Sequence, residues 1–294
     1  MLDYPLMAAV AAVIRTGSFE QAAQELRVTP SAVSQRVKLL EDRLGVVLVV
    51  RAQPCTATPT GLRLFRHVEE VGLLEHTLSN DLAGLMPVGK SATLRVAVNA
   101  DSLATWFIDV IAACEGILFE LVLDDQDYSA DWLRRGEVVA AVSAQPGPVQ
   151  GCDSKPLGAL RYIATASPDY VKRWFPSGVT QTAIQQAPAL NFNMKDRLQS
   201  QWVQKNLGKR LVVPSHTLPS TQAFIDATLT GIGWGMNPEP LVARHLAEGR
   251  LVPLIPDQPL DVELHWQSSR MVATAISDLN KAVRDAAQKW LITR

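Results

Sequence analysis

The alternation of apolar and polar positions changes character along the chain. Residues 1 to about 57 read as short helices closed by a small turn-rich segment. Ser18-Phe19-Glu20-Gln21 has the form of a capping box, in which the Ser18 hydroxyl accepts from the Gln21 N–H and the Gln21 side chain reaches back. A helix therefore starts at Phe19, with Phe19, Ala22, Ala23 and Leu26 on its apolar side. After the turn at Arg27-Val28, Thr29 caps a second helix and Pro30 occupies its first turn. Val33, Val37, Leu40 and Leu44 bury one face of it, and Gly45 ends it. Val46 to Val50, followed by Arg51 and a Gln53-Pro54-Cys55 tip, predicts a strand leading into a short wing.

At Thr58, an N-cap followed by Pro59, one long helix begins. Leu64, Val68, Val71, Leu74, Leu78, Leu82 and Leu85 step by three and four residues, close to the roughly 3.5-residue average of a coiled-coil seam, which predicts pairing with a second copy. Met86 to Ser91 reads as a hinge, because Pro87 stops the helix and Gly89 frees the backbone. Beyond it, strand-like runs at Thr93–Val98, Ile117–Leu123 and Val138–Ser143 alternate with helical stretches at Leu103–Ala113 and Ser129–Arg135, the pattern of a parallel α/β sheet. A second alternation spans about Ala164 to His265, with helices near Pro168–Phe175, Thr180–Ala187 and Gln222–Thr230 and strands near Ala189–Phe192 and Leu211–Val213. A last helix runs from Ala273 to Ile292. The expected division is 1–57, 58–91 and 92–294, the last part having one lobe at about 92–163 plus 266–294 and another at about 164–265. Two α/β lobes with a cleft between them bind ligands beyond the carboxyl ends of their strands.

Composition narrows the classes. The 294 residues are 47% apolar and 19% charged, which is ordinary globular composition. The formal charge of −1 excludes a polybasic nucleic-acid coat, although a small basic surface on one domain stays open. Cys55, Cys114 and Cys152 are odd in number and lack CxxC spacing, so a reduced, cytoplasmic protein is expected. The longest clean apolar run, Leu6 to Ile14, is too short for the roughly 20 residues of a membrane span, and Asp3 stands where a signal peptide is basic. No membrane role is expected. His67, His76, His216, His245 and His265 show no metal-ligand spacing, and no catalytic triad pattern or nucleophile elbow occurs, so neither a metal, a cofactor nor catalysis is expected. Gly231-Ile232-Gly233-Trp234-Gly235 follows a helix instead of a strand and lacks the third-glycine spacing, which favours packing or a turn over a dinucleotide loop. Trp266 reads as core.

Two short helices joined by a tight turn form a helix-turn-helix, whose second helix lies in the major groove. Its exposed face carries Ser31, Ser34, Gln35, Arg36 and Lys38, groups suited to base edges and phosphates, with Arg51 on the wing placed for a backbone phosphate. Ser18, Thr29 and Pro30 complete the candidate DNA-binding set through the helix starts. Charge adds little to this, since residues 1–57 hold six basic and five acidic side chains. A polar surface helix without a DNA role is the alternative.

The run Gly17-Ser18-Phe19…Ala22-Ala23…Leu26…Thr29-Pro30-Ser31-Ala32-Val33-Ser34…Val37…Leu40-Glu41…Leu44-Gly45…Leu48…Arg51…Thr58…Gly61 resembles the amino-terminal signature of the LysR-type transcriptional regulators. Val49 departs from the Phe usual there, which bears only on local packing of the wing. The resemblance implies a winged helix-turn-helix, a long linker helix that dimerises through Leu64, Val68, Val71, Leu74, Leu78 and Leu82, and a two-lobed periplasmic-binding-protein-like effector domain. It also implies dimers or tetramers on double-stranded promoter DNA, with RNA polymerase as a further candidate partner. Val98 to Trp106, Leu133 to Val139 and the wing run Arg51-Ala52-Gln53-Pro54 are similar to the arginine- and lysine-responsive ArgP and LysG branch, whose members control basic amino-acid export genes. That implies L-lysine or L-arginine as the effector. The residues fit this reading: Asn99, Ala100, Asp101 and Ser102 connect a strand to a helix start able to hold a carboxylate, with Asp101 as a plain N-cap the alternative. Asp125, just past a strand end, is the candidate for selecting the basic side chain, with a solvated turn as the alternative. Ser143, Asn193 and Ser220 are further effector candidates by position. The rivals are a LysR-type regulator of another metabolite, and a cytoplasmic solute-binding protein or enzyme with an α/β cleft.

Overall fold

The computed structural model describes residues 3–82, 92–124 and 129–293. The expected hinge at 86–91, Leu85 of the seam and Asp125 lie outside these residues. The chain divides into two compact units, Met1–Thr93 and Leu94–Arg294.

The first unit contains α1 (Tyr4–Thr16), α2 (Phe19–Leu26), α3 (Pro30–Leu44), β1 (Val49–Val50), β2 (Thr56–Ala57) and α4 (Pro59–Asp81). The apolar run of α1 is its centre: Met7, Val10 and Val13 pack with Ala22 and Ala23 of α2 and with Val33, Val37 and Leu40 of α3. Each large aliphatic buried there contributes about 1.5–3 kcal/mol. Ser18 Oγ accepts from the N–H groups of Glu20 and Gln21 at 3.2 and 3.3 Å. The reciprocal half of the expected capping box is different: the Ser18 hydroxyl donates to Glu20 Oε2 at 2.7 Å, and the Ser18 N–H goes to Thr16 Oγ1. Arg27 ends α2 in the left-handed region at φ 56°, and Thr29 Oγ1 caps α3 through the Ala32 N–H.

The wing strand, expected over 46–50, is only Val49–Val50 paired with Thr56–Ala57. Glu41 is the reason, because its Oε1 takes the N–H groups of Leu48 and Val49 at 2.8 and 3.2 Å and ties the strand's entry to α3. Gly61, in the first turn of α4, lies against the same segment. A Cβ at this position would stand 1.9 Å from the Leu48 carbonyl oxygen, a backbone atom. Gly61→Ala is therefore expected to destabilise the first unit by about 2 kcal/mol, net of the helix propensity that alanine gains. Thermal unfolding of the variant checks this, and an unchanged midpoint would mean that α4 can shift aside freely.

The second unit begins with β3 (Ala92–Val98), which starts at the boundary, followed by α5 (Ala100–Ser102), a π-turn at Leu103–Phe107 and α6 (Ile108–Ala112). Then come β4 (Ile117–Leu123), α7 (Ser129–Arg134), β5 (Ala140–Ser143), β6 (Cys152–Ala166), α8 (Pro168–Trp174), α9 (Gln181–Gln186) and β7 (Ala189–Asn191). The remaining elements are α10 (Leu198–Leu207), β8 (Ser215–Thr217), α11 (Thr221–Thr230), β9 (Gly235–Pro238), α12 (Glu239–Ala247), β10 (Val252–Pro253), β11 (Leu260–Ser269) and α13 (Ser277–Trp290).

One sheet has the order β10-β6-β11-β5-β3-β4, with β9 also on β6, and a second joins β7 and β8. β3 and β5 run parallel, as do β7 and β8. The main sheet is nevertheless mixed where a parallel one was expected, because β6 and β11 return antiparallel along each other and β9 and β10 pair antiparallel with β6. The strand expected at Leu211–Val213 lies instead at Ser215–Thr217; Ala189 N–H bonds the Pro214 carbonyl, and Val212 is exposed. The last helix starts at Ser277, after a 3-10 turn at Arg270–Val272. Trp266 is core, with its indole N–H donating to Asn280 Oδ1 at 2.7 Å. In the glycine run, Cβ atoms at Gly233 and Gly235 would lie 2.7 Å from Leu190 and 2.4 Å from the Phe224 ring, so these glycines allow close packing. Among the described residues no helix is long and apolar enough to cross a membrane.

Candidate functional site

In the first unit, α3 turns Val33, Val37 and Leu40 inward, which leaves the opposite face for polar side chains. Ser31, Gln35 and Lys38 are exposed there, and Ser34 and Arg36 are half-buried. Thr29 and Ser31 share a hydrogen bond at 3.0 Å, so the start of the helix is organised by its own hydroxyls. The exposed Arg51 guanidinium stacks over the Phe19 ring, 5.1 Å from its centroid, which ties the wing to the first residue of α2. Ser18 is committed to capping α2.

On α4 the expected seam splits. Leu64 and Val68 pack on the core of the first unit, and Val71 is half-buried. Leu74, Leu78 and, just past the helix end, Leu82 are exposed at 46%, 52% and 36%, which concentrates the unburied apolar surface at the carboxyl-terminal end of the helix.

The second unit contains a cleft of about 510 Å³, counting its open mouth. Phe192, Phe224, Met236, Leu198 and Pro238 give it apolar walls, and Asn99, Asp101, Asp124, Asp196, Thr221 and Asn237 supply the polar groups. Asp101 sits in the first turn after β3. Its Oδ2 accepts from the Tyr162 hydroxyl at 2.8 Å and its Oδ1 from the Thr221 hydroxyl at 3.1 Å, so it ties elements distant in sequence and is no N-cap. Asp124, just past β4, accepts from the Trp132 indole N–H at 2.9 Å through Oδ2, while Oδ1 lies 3.1 Å from Lys195 Nζ. Asp196 accepts from the N–H groups of Phe192 and Leu198 at 2.8 and 3.0 Å. Burial holds its carboxyl above the usual carboxylate range, against the opposing pull of these bonds and of Gln199.

Asn237 is oriented by Thr165 and Thr228, which its Nδ2 meets at 2.9 and 3.3 Å. Its Oδ1 and that of Asn99 are buried and have no hydrogen-bond partner among the described residues. An unmet buried acceptor costs about 1–3 kcal/mol, and both of these residues line the cleft. No Lys or Arg is among the described residues that line the cleft. Carboxylate and amide oxygens on such walls suit a cationic, amino-bearing small molecule.

Residues 5–62 match the model of the bacterial regulatory helix-turn-helix protein, lysR family, and residues 88–288 match that of the LysR substrate binding domain. The chain belongs to the LysR family of transcriptional regulators. It is 43% identical over 286 residues, 97% of this chain and 94% of the relative, to the HTH-type transcriptional regulator LysG of Mycobacterium tuberculosis. Among solved structures it resembles ArgP from Mycobacterium tuberculosis, with a TM-score of 0.83, 42% identity and both chains covered completely. It also resembles full-length LysG from Corynebacterium glutamicum with bound effector Arg, with a TM-score of 0.71, 34% identity, and coverage of 99% of this chain and 100% of that one. The regulator is thus a DNA-binding protein of the ArgP and LysG type, and its relatives are regulators and not enzymes.

Of the effector candidates read from the sequence, Asn99, Ala100 and Asp101 line the cleft of the regulator. Ser102 is fully buried beneath it, and Ser143 is buried with its Oγ accepting from the Gln145 N–H. Asn193 closes a tight turn by accepting from the N–H groups of Lys195 and Asp196. Ser220 caps α11 through the Ala223 N–H, and it is the neighbouring Thr221 that reaches the cleft. Asp124, Asp196, Thr221 and Asn237 were missed. Asp125, the residue next to Asp124 at the end of the same strand, is the one signal the sequence offers, and the other three come from separate segments with no local motif.

Proposed function

We propose that the protein is a cytoplasmic regulator that senses a basic amino acid, L-lysine or L-arginine, in the cleft of its effector domain and changes its contacts with promoter DNA accordingly. The observation that carries this reading is the concentration of acceptor-bearing residues in the cleft lining: Asp101, Asp124, and Asn99 and Asn237, whose amide oxygens are unmet. In this reading Asp124 meets the ammonium or guanidinium and the amide oxygens take the α-ammonium. Backbone N–H groups of the segment 99–102 and of Thr221 receive the α-carboxylate, since the Thr221 hydroxyl is donated to Asp101. Asp125 stays a second candidate counter-ion from its sequence position. The arginine held by the Corynebacterium glutamicum relative supports the same class of ligand. Residues 1–57 serve as the DNA reader, 58–91 as linker helix and hinge, and 92–294 as the two-lobed sensor. Promoter DNA, a second copy of the chain and RNA polymerase are the partners, and basic amino-acid export or metabolism is the regulated process.

Calorimetric titration of the full chain with L-lysine, L-arginine and L-norleucine tests the assignment, since norleucine keeps the aliphatic chain and lacks the side-chain ammonium. The two basic amino acids are expected to bind, and at 100 times the dissociation constant to add about 2.7 kcal/mol to stability. Binding of norleucine alone, or of none of the three, would sink the reading. For the DNA reader, Arg36→Ala is expected to cost about 1–3 kcal/mol and to relax preference at one base pair if it contacts a guanine edge. A uniform loss across sequences, with a salt slope lower by about one, would place Arg36 on phosphate instead.

A further inference from the structure

The rim of the cleft carries a cation of its own. Lys195 belongs to the turn between β7 and α10, and its Nζ lies 3.1 Å from Asp124 Oδ1 at the end of β4. The turn is firmly built: Asn193 Oδ1 receives the N–H groups of Lys195 and Asp196, and the Asp196 carboxylate receives those of Phe192 and Leu198. Lys195 is therefore presented to Asp124 by a fixed backbone. The opposite oxygen of Asp124 is taken by the Trp132 indole. An arriving ammonium or guanidinium that seeks a direct bond to this carboxylate meets Lys195 at Oδ1.

We propose that Lys195 is a tethered competitor of the effector: its ammonium and the effector's cationic side chain exclude each other at Asp124 Oδ1, so Lys195 sets the concentration at which the sensor responds. This rests on the basic amino-acid reading above. The lysine is 46% exposed and Asp124 19%, so the pair is held in partly solvated surroundings and can exchange. Two mutually exclusive cations on one carboxylate lower the apparent affinity of the free one by the fraction of sites that the tethered one holds.

The test is calorimetry of the full chain with L-lysine and L-arginine for the parent, Lys195→Met, Lys195→Gln, Asp124→Asn and the double variant Lys195→Met/Asp124→Asn. Removing the ammonium is expected to tighten both ligands about two- to fivefold, the range set by a partly exposed ion pair. In the Asp124→Asn background the same change should have no effect, because the shared oxygen no longer carries the charge. Equal affinities in parent and both Lys195 variants would overturn the proposal, as would weakened binding, which would instead make Lys195 a holder of the effector's carboxylate. A parent that binds neither ligand would bring down the basic amino-acid reading itself, and this inference with it.

Discussion

Asp124→Asn is expected to weaken lysine and arginine binding by about 2 kcal/mol, roughly 30-fold, while leaving DNA affinity measured without effector unchanged. The carboxylate is held by the Trp132 indole at 2.9 Å, and the side chain is itself only 19% exposed, so it offers a charge in a fixed place. The amide in the variant keeps an acceptor oxygen and a similar volume, which isolates the loss of charge from a loss of shape. Calorimetry on the two ligands measures the effect. Affinities equal to those of the parent would remove Asp124 from the effector's contacts and leave Asp125 or Asp101 to supply the counter-charge.

Leu78→Asp is expected to weaken self-association by about 3 kcal/mol or more, over a hundredfold in the dissociation constant, because pairing would bury an unpartnered carboxylate. At 52% exposure Leu78 is poorly packed within its own chain, so the substitution leaves the fold of the first unit intact. Binding to paired half-sites should fall with the dimer, whereas the melting temperature should barely move. Light scattering across a concentration series separates these outcomes. Intact oligomers would show that copies meet elsewhere than on the exposed face of α4.

Much of the first unit was legible because its instructions are local. Thr29-Pro30 and Thr58-Pro59 each place a cap and a proline within two residues, and the helices α3 and α4 begin there. The wing was shorter than its apolar run suggested, because the side chain that cuts it back, Glu41, lies on another element. In the second unit β6 is the element least legible in the sequence. Its residues, Cys152–Ala166, include Pro156 and Gly158, which read as breaks, and its length is held by pairing with β11 more than 90 residues later. The cleft was readable only at its first edge, Asn99 to Asp101, where a strand meets a helix. Asn237, Thr221 and Asp196 carry no motif, since what gathers them is the folding of distant segments. At the end of β4, strand position and the family resemblance point to Asp125, and it is the fold that puts Asp124 on the wall.

The pairing of β6 with β11 also bears on how the substrate-binding domain can move. Sliding is blocked, since a slip of one residue would turn every buried side chain of the slipping strand to the wrong face. Their register breaks at a single point, between Leu264 and His265, opposite Gly158, whose φ of 119° is open to glycine alone. A change in the angle between the strands' two ends is therefore a bend at this point. The ladder on either side remains stiff, and a small rotation there is carried as a larger displacement to the far ends of the strands.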